Sequence, residues 1–221
     1  ITCRDWSSDV CSSDLPLAKE GTGQVVVDFT PEPLTQDVSF VFHIEKTADV
    51  VVDSLTAEIS GIPSTMELTT GLILAQKTYK LLFRPTYAAL PSAADSASAE
   101  ALRCEASVNI PGIVRSHTED MVTGPGILQI AIYTHYDYEE EGTQRKAAKV
   151  FHAGINLYHT LKERKSLQWD EEENGYRQAS RSITVEIGSP LNIDKDGILN
   201  GGSTSTGLDQ WIPGETFEIE V

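Results

Sequence analysis

Three potential metal ligands, His135, Asp137 and Glu139, recur at alternate positions in the segment ILQIAIYTHYDYEE. On an extended strand such residues share one face, and an imidazole with two carboxylates is a donor set that transition metals accept. The same stretch runs straight into a glutamate-rich turn with Tyr133, Tyr136 and Tyr138 interspersed. Metal centres draw rigid ligands from several elements, so the preferred reading is a solvated strand face. A second constellation is NIDKDG, in which Asn192, Asp194 and Asp196 alternate ahead of Gly197. Short oxygen-bearing side chains at positions 1, 3 and 5, with glycine at 6, form the first half of a calcium-binding loop. The position that would carry the bidentate glutamate is Ser203. Calcium at Asn192, Asp194 and Asp196 is therefore set against a simple Asp-Gly turn, and no other cofactor is expected. Nucleophilic catalysis finds little support. There is no G-x-S-x-G elbow, the five histidines share no motif with a serine or cysteine, and Cys104 opens an alternating strand, where a thiol serves as a small hydrophobe. No phosphate-cradling glycine loop is present, and dispersed carboxylates suitable for a hydrolase are a weaker rival. The chain reads as non-enzymatic.

The elements that must carry these residues are strands. Period-two alternation marks residues 24–29, 38–45, 55–62, 79–85, 104–110, 127–138, 148–158, 181–187 and 215–221. Turn chemistry separates them, with PEP, GIP, PG, GPG, EEEG, ENG and NGG at the breaks. Short strands at this spacing predict a β-sandwich. In VSFVFHIE one face carries Val38, Phe40, Phe42 and Ile44, the core side. A hairpin is predicted across EEEGTQ, with Arg145 and Lys146 entering as Glu139 to Glu141 leave. Residues 90–102, rich in Ala and Ser, are expected to form a surface loop, with a helical turn in LKERKS and an extended hairpin over 163–178.

The chain of 221 residues carries a formal net charge of −16 and is 40% hydrophobic. It can bury a core. So acidic a chain, with no basic cluster longer than Lys162 to Lys165, argues against phosphate backbones and anionic membrane surfaces as partners. No apolar run reaches the roughly 20 residues of a membrane-spanning helix.

The first residues stand apart. DWSSDVCSSDL resembles the translation of a sequencing adapter, so residues 1–15 are read as a non-native scar. Only Cys104 then remains of the three cysteines. Residues 16–33 are expected to be a linker and leading strand from a missing N-terminal domain, and 34–221 one β-sandwich domain.

The order of motifs carries a further resemblance. Thr30, Pro31, Pro33 and Leu34 open a core strand; Ser60, Gly61 and Ile62 end another, followed by Gly71. Gly201, Gly202, Leu208, Asp209 and Trp211 then lead into FEIEV. This order resembles the C-terminal domain of fimbrillin-associated, Mfa-like proteins of Bacteroidales. The resemblance implies a transthyretin-like Greek-key β-sandwich with long loop insertions. It also implies a lipoprotein of the outer membrane surface that anchors, caps or decorates a fimbrium through contacts with other subunits or surface proteins. Pro33, Gly61 and Trp211 are the structural residues. The Trp211 ring is expected to close one end of the core, with its indole N–H bonded to a loop carbonyl. In such pili an extended segment can add to a neighbour's sheet, and ETFEIEV is a candidate, although the ordinary last strand of its own domain is preferred. The competing reading is a carbohydrate-binding sandwich using Trp169, Tyr176, Tyr136 and Tyr138 as a sugar platform.

Overall fold

The computed structural model describes residues 34–68, 71–90, 99–114, 124–170, 175–178, 181–199 and 211–219. Pro33 and the strand expected at 24–29 lie outside them. In chain order the first strands are β1 (Gln36–Thr47), β2 (Val50–Met66), β3 (Ile73–Phe83), β4 (Thr86–Ala89) and β5 (Ala99–Ile110). A long hairpin follows, β6 (Ile127–Glu140) and β7 (Thr143–Asn156), then helix α1 (Leu157–Glu163). The remainder is β8 (Leu167–Asp170), β9 (Gly175–Gln178), β10 (Ser182–Glu186), β11 (Leu191–Ile193) and β12 (Ile212–Ile219). The protein is all-β. One five-stranded sheet has the order β10-β1-β5-β4 with β11 also on β1, the other the order β12-β7-β6-β2-β3.

Alternation in β1 sets the first inner face: Val38, Phe40, Phe42 and Ile44 are all 1% exposed or less. The second inner face comes from three strands in register. Leu55, Ala57 and Ile59 lie opposite Ile132, Ile130 and Leu128, which in turn face Phe151, Ala153 and Ile155. These side chains form one core, and full burial of each large one stabilises by roughly 1.5–3 kcal/mol.

The β6–β7 hairpin turns where the sequence places it. Glu141 (φ 50°) and Gly142 (φ 77°) both adopt left-handed conformations, the requirement of a tight hairpin turn. Glu140 and Arg145 close an exposed ion pair at 2.8 Å, which contributes under about 1 kcal/mol. Asn156 caps α1 by accepting the His159 N–H at 3.0 Å. The hairpin expected over 163–178 is present as β8 and β9, but the helix begins at Leu157, inside the strand expected over 148–158, and overlaps LKERKS only over 161–163. The Ala/Ser-rich loop does not extend to residue 102, because β5 already begins at Ala99. There the twelve-residue register with β1 overrides the helix propensity of alanine.

Candidate functional site

The strand ligands do not converge. The Nδ1 of His135 lies 2.7 Å from Asp53 Oδ1, and since a carboxylate only accepts, Nδ1 carries the proton. Asp53 reaches this position because the β2–β6 register shifts between Val52 and Ser54. Tyr87 Oη donates at the same irregularity, 3.1 Å from the carbonyls of Val52 and Asp53. Asp137 stands opposite Lys146 in the ladder, and Glu139 opposite Gln144. No group of three or more histidine, cysteine or acidic side chains is gathered among the described residues.

NIDKDG forms a turn. Asp194 Oδ1 accepts the N–H groups of Asp196 at 2.7 Å and Gly197 at 2.8 Å. The carbonyl of Lys195, in the same turn, accepts the ammonium of Lys149 at 2.7 Å. That ammonium also pairs with Glu218 at 3.2 Å and sits 5.4 Å from the Tyr136 ring centre. Burial lowers the Lys149 pKa, but the hydrogen bond to Glu218 and the contacts with Tyr136 outweigh it, leaving the group above its ordinary 10.5. Lys149 thus ties β6, β7 and β12 to the turn after β11.

Of the four aromatics foreseen as a platform, Trp169 and Tyr176 are register partners on β8 and β9. The rings of Tyr136 and Tyr138 are 6.2 Å apart and inclined by 50°. Those two do not share a plane, and Tyr136 already holds a cation.

Cys104 is fully buried, and burial pushes its thiol up to about 12 from an ordinary 9.0. The folded protein therefore holds this proton more tightly than the unfolded chain. Stability is present in full below pH 9 and falls as pH climbs toward 12. We expect the native thiol to resist alkylation at pH 8. Cys104→Ala should lose less stability than the parent between pH 9 and 12, measured by urea unfolding; parallel pH profiles would refute the assignment.

Trp211 is 6% exposed and meets Phe42 edge-on, with ring centres 5.4 Å apart at 71°. It covers the core as expected, but its indole N–H finds no acceptor among the described residues. Among the described residues the expected loop-carbonyl bond is not made, and the ring's partner is the Phe42 ring.

What spacing along single strands misses is the outer face and edge of the second sheet. Of the five strands at the margins of the two five-stranded sheets, four are short or occupied. The Arg164 guanidinium donates to the carbonyls of Thr184 (3.1 Å) and Glu186 (2.9 Å) on β10. β11 is closed by its own turn, with Leu199 N–H donating to Asn192 at 2.7 Å. β4 has four residues, and β9 approaches β3. β12 differs. It is eight residues long and pairs, among the described strands, with β7 alone, through Ile212, Pro213 and Thr216 to Ile219, with a shift between Pro213 and Thr216. No described strand covers its other side. Residues 212–218 are all exposed or half-buried, Phe217 at 50% and Ile212 at 45%. His152 bridges the irregular part: Nδ1–H donates to the Glu215 carbonyl at 3.0 Å and the ring meets Phe217 edge-on at 5.5 Å. Gly214 is required beneath it, since a Cβ there would lie 2.9 Å from His152 Cβ.

No helix among the described residues is long and apolar enough to cross a membrane. Comparison with protein-family models, with curated proteins and with solved structures gave no match.

Proposed function

We propose that this chain is a non-catalytic β-sandwich module of the bacterial cell surface that works through protein–protein contact. In this reading it is an anchor or accessory subunit of a fimbrium, held at the outer membrane by a lipid outside the present sequence, and its Greek-key topology is transthyretin-like. The motif order from Thr30 to Trp211 supports the fimbrial part. The observation that carries the contact function is the edge of β12, eight residues long, shallowly rooted and covered by no described strand. An uncovered strand of this length presents main-chain donors and acceptors that a partner's extended segment satisfies, while alternate side chains such as Phe217 supply specificity. Glu215 on the strand favours a partner segment carrying Lys or Arg and disfavours pairing of β12 with a second β12, whereas Glu218 is already paired with Lys149.

Site-specific photo-crosslinking in the originating organism tests this reading. A photoreactive residue at Glu215 should trap an envelope filament protein, whereas the same residue at Ser107, on the outer face of the first sheet, should not. Equal trapping at both positions, or trapping at neither, would remove the proposal.

A further inference from the structure

Two hollows on the outer face of the second sheet meet at Gln129. One, about 450 Å³, lies over Gly154 between Gln129, His152, Ile212 and Phe217. The other, about 560 Å³, lies between Gln129, Glu58, Thr78, Tyr79 and Lys80. Register puts them in line. Ile212, Gly154, Gln129, Glu58 and Leu82 are successive cross-strand partners on β12, β7, β6, β2 and β3. Glycine keeps the floor of that row low, because it offers no side chain to fill it. Crossing the five strands takes four inter-strand steps, so the combined furrow is about 19 Å long.

We propose that this furrow binds a neutral oligosaccharide laid across the strands. Its two ends are aromatic, with Phe217 50% and Tyr79 46% exposed, and such rings offer the apolar surface that the C–H faces of a pyranose cover. Between them stand groups that pair with hydroxyls. The Gln129 amide both donates and accepts, and Thr78 contributes a hydroxyl. His152, having given its Nδ1–H to the Glu215 carbonyl, keeps Nε2 as an acceptor in the neutral ring. Charge selects an uncharged ligand. Glu58 and Lys80 neutralise each other at 2.6 Å. Glu215 at the rim is then the uncompensated charge, and a protein of net charge −16 repels anionic polymers. Direction separates this ligand from a peptide. A peptide strand adds along the β12 edge, where main-chain groups are open. The furrow crosses strands already paired with one another and suits a chain that binds through rings and hydroxyls.

The test is an NMR titration of the full chain with four neutral hexasaccharides in turn: β-1,4-glucan, α-1,4-glucan, β-1,4-mannan and β-1,4-xylan. At least one should shift the Gly154 amide, the Gln129 side-chain amide and Tyr79 together. Tyr79→Ala and Phe217→Ala, both at exposed positions, should each weaken that binding by about tenfold or more with an unchanged melting temperature. An anionic hyaluronan hexasaccharide should leave these signals in place. The proposal fails if no neutral hexasaccharide moves Gln129 and Gly154, or if binding survives both alanine changes. It fails equally if those signals move only with rising protein concentration, which would make the furrow a contact between copies. Tyr79 and Gln129 lie away from the β12 edge, so this outcome is independent of the crosslinking result.

Discussion

Replacing Gly61 by alanine is expected to lower stability by about 2–6 kcal/mol. The range combines two penalties that act at one atom. Gly61 has a φ of +78°, and holding a side-chain-bearing residue in that left-handed region costs roughly 1–3 kcal/mol. The added Cβ would also lie 2.4 Å from the Gly126 nitrogen and 2.8 Å from Pro125 Cβ, and relieving such crowding costs about 1–3 kcal/mol more. The crowded backbone cannot yield cheaply, because it is a junction. Gly126 N–H donates to the Ser60 carbonyl at 2.9 Å, Val114 N–H to Gly61 at 2.8 Å and Tyr158 N–H to Gly126 at 2.9 Å. Ser60 Oγ donates to the Gly124 carbonyl at 2.7 Å and accepts the Ile127 N–H at 3.2 Å. Displacing Gly126 therefore disturbs the starts of both β6 and α1. Gly142→Ala is the control: its φ is +77°, yet nothing lies within 4 Å of the added carbon. Urea unfolding should show Gly61→Ala costing more than Gly142→Ala by the crowding component, and the thermal midpoint should drop about 2–4 °C per kcal/mol in a chain of this length. Equal losses in the two variants would mean that the approach of Gly126 is not a constraint.

Local periodicity reveals the inner faces of this protein and fails where the answer depends on register. Val38, Phe40, Phe42 and Ile44 alternate in sequence, and all face the core. The two left-handed residues at 141 and 142 sit in the turn that EEEG marks. By contrast His135 groups with Asp137 and Glu139 when read along its own strand, but its partner is Asp53, 82 residues away. That pairing needs the irregularity in β2, which no alternation pattern announces. The same holds for the furrow: Gly154, Gln129 and Glu58 come from three strands, and only the hydrogen-bonded register sets them in one row. The segment FEIEV reads as an ordinary half-buried strand, because Phe217, Ile219 and Val221 alternate with Glu218 and Glu220. In the fold Phe217 faces outward, and β12 hangs at the sheet margin with its neighbours exposed. Asp194 and Asp196 likewise share a loop pattern, while main-chain N–H groups take up the carboxylate of Asp194.

Trp211→Ala should destabilise by about 3–5 kcal/mol, the usual cost of truncating a buried tryptophan. The consequence is expected to fall first on β12. Trp211 immediately precedes that strand and is buried, whereas residues 212–218 are exposed or half-buried. The indole packed on Phe42 is therefore the buried apolar anchor of a strand otherwise held by main-chain bonds to β7, by the Lys149–Glu218 pair and by the His152 contacts with Glu215 and Phe217 on the outer face. Hydrogen exchange in the alanine variant should accelerate at the β12 amides well beyond that of β1 and β5; uniform acceleration would show that the ring supports the whole sandwich and does not tether its edge. Trp211→Phe separates ring from N–H. A buried donor without a partner costs about 1–3 kcal/mol, so removing it offsets part of the lost apolar area, and the phenylalanine variant should stay within about 1 kcal/mol of the parent. A loss comparable to that of alanine would instead reveal an acceptor for the indole. The edge strand proposed for contact is thus tied to the core at one residue, and loosening that residue should raise the exchange of β12 while leaving the furrow residues on β6 and β2 protected.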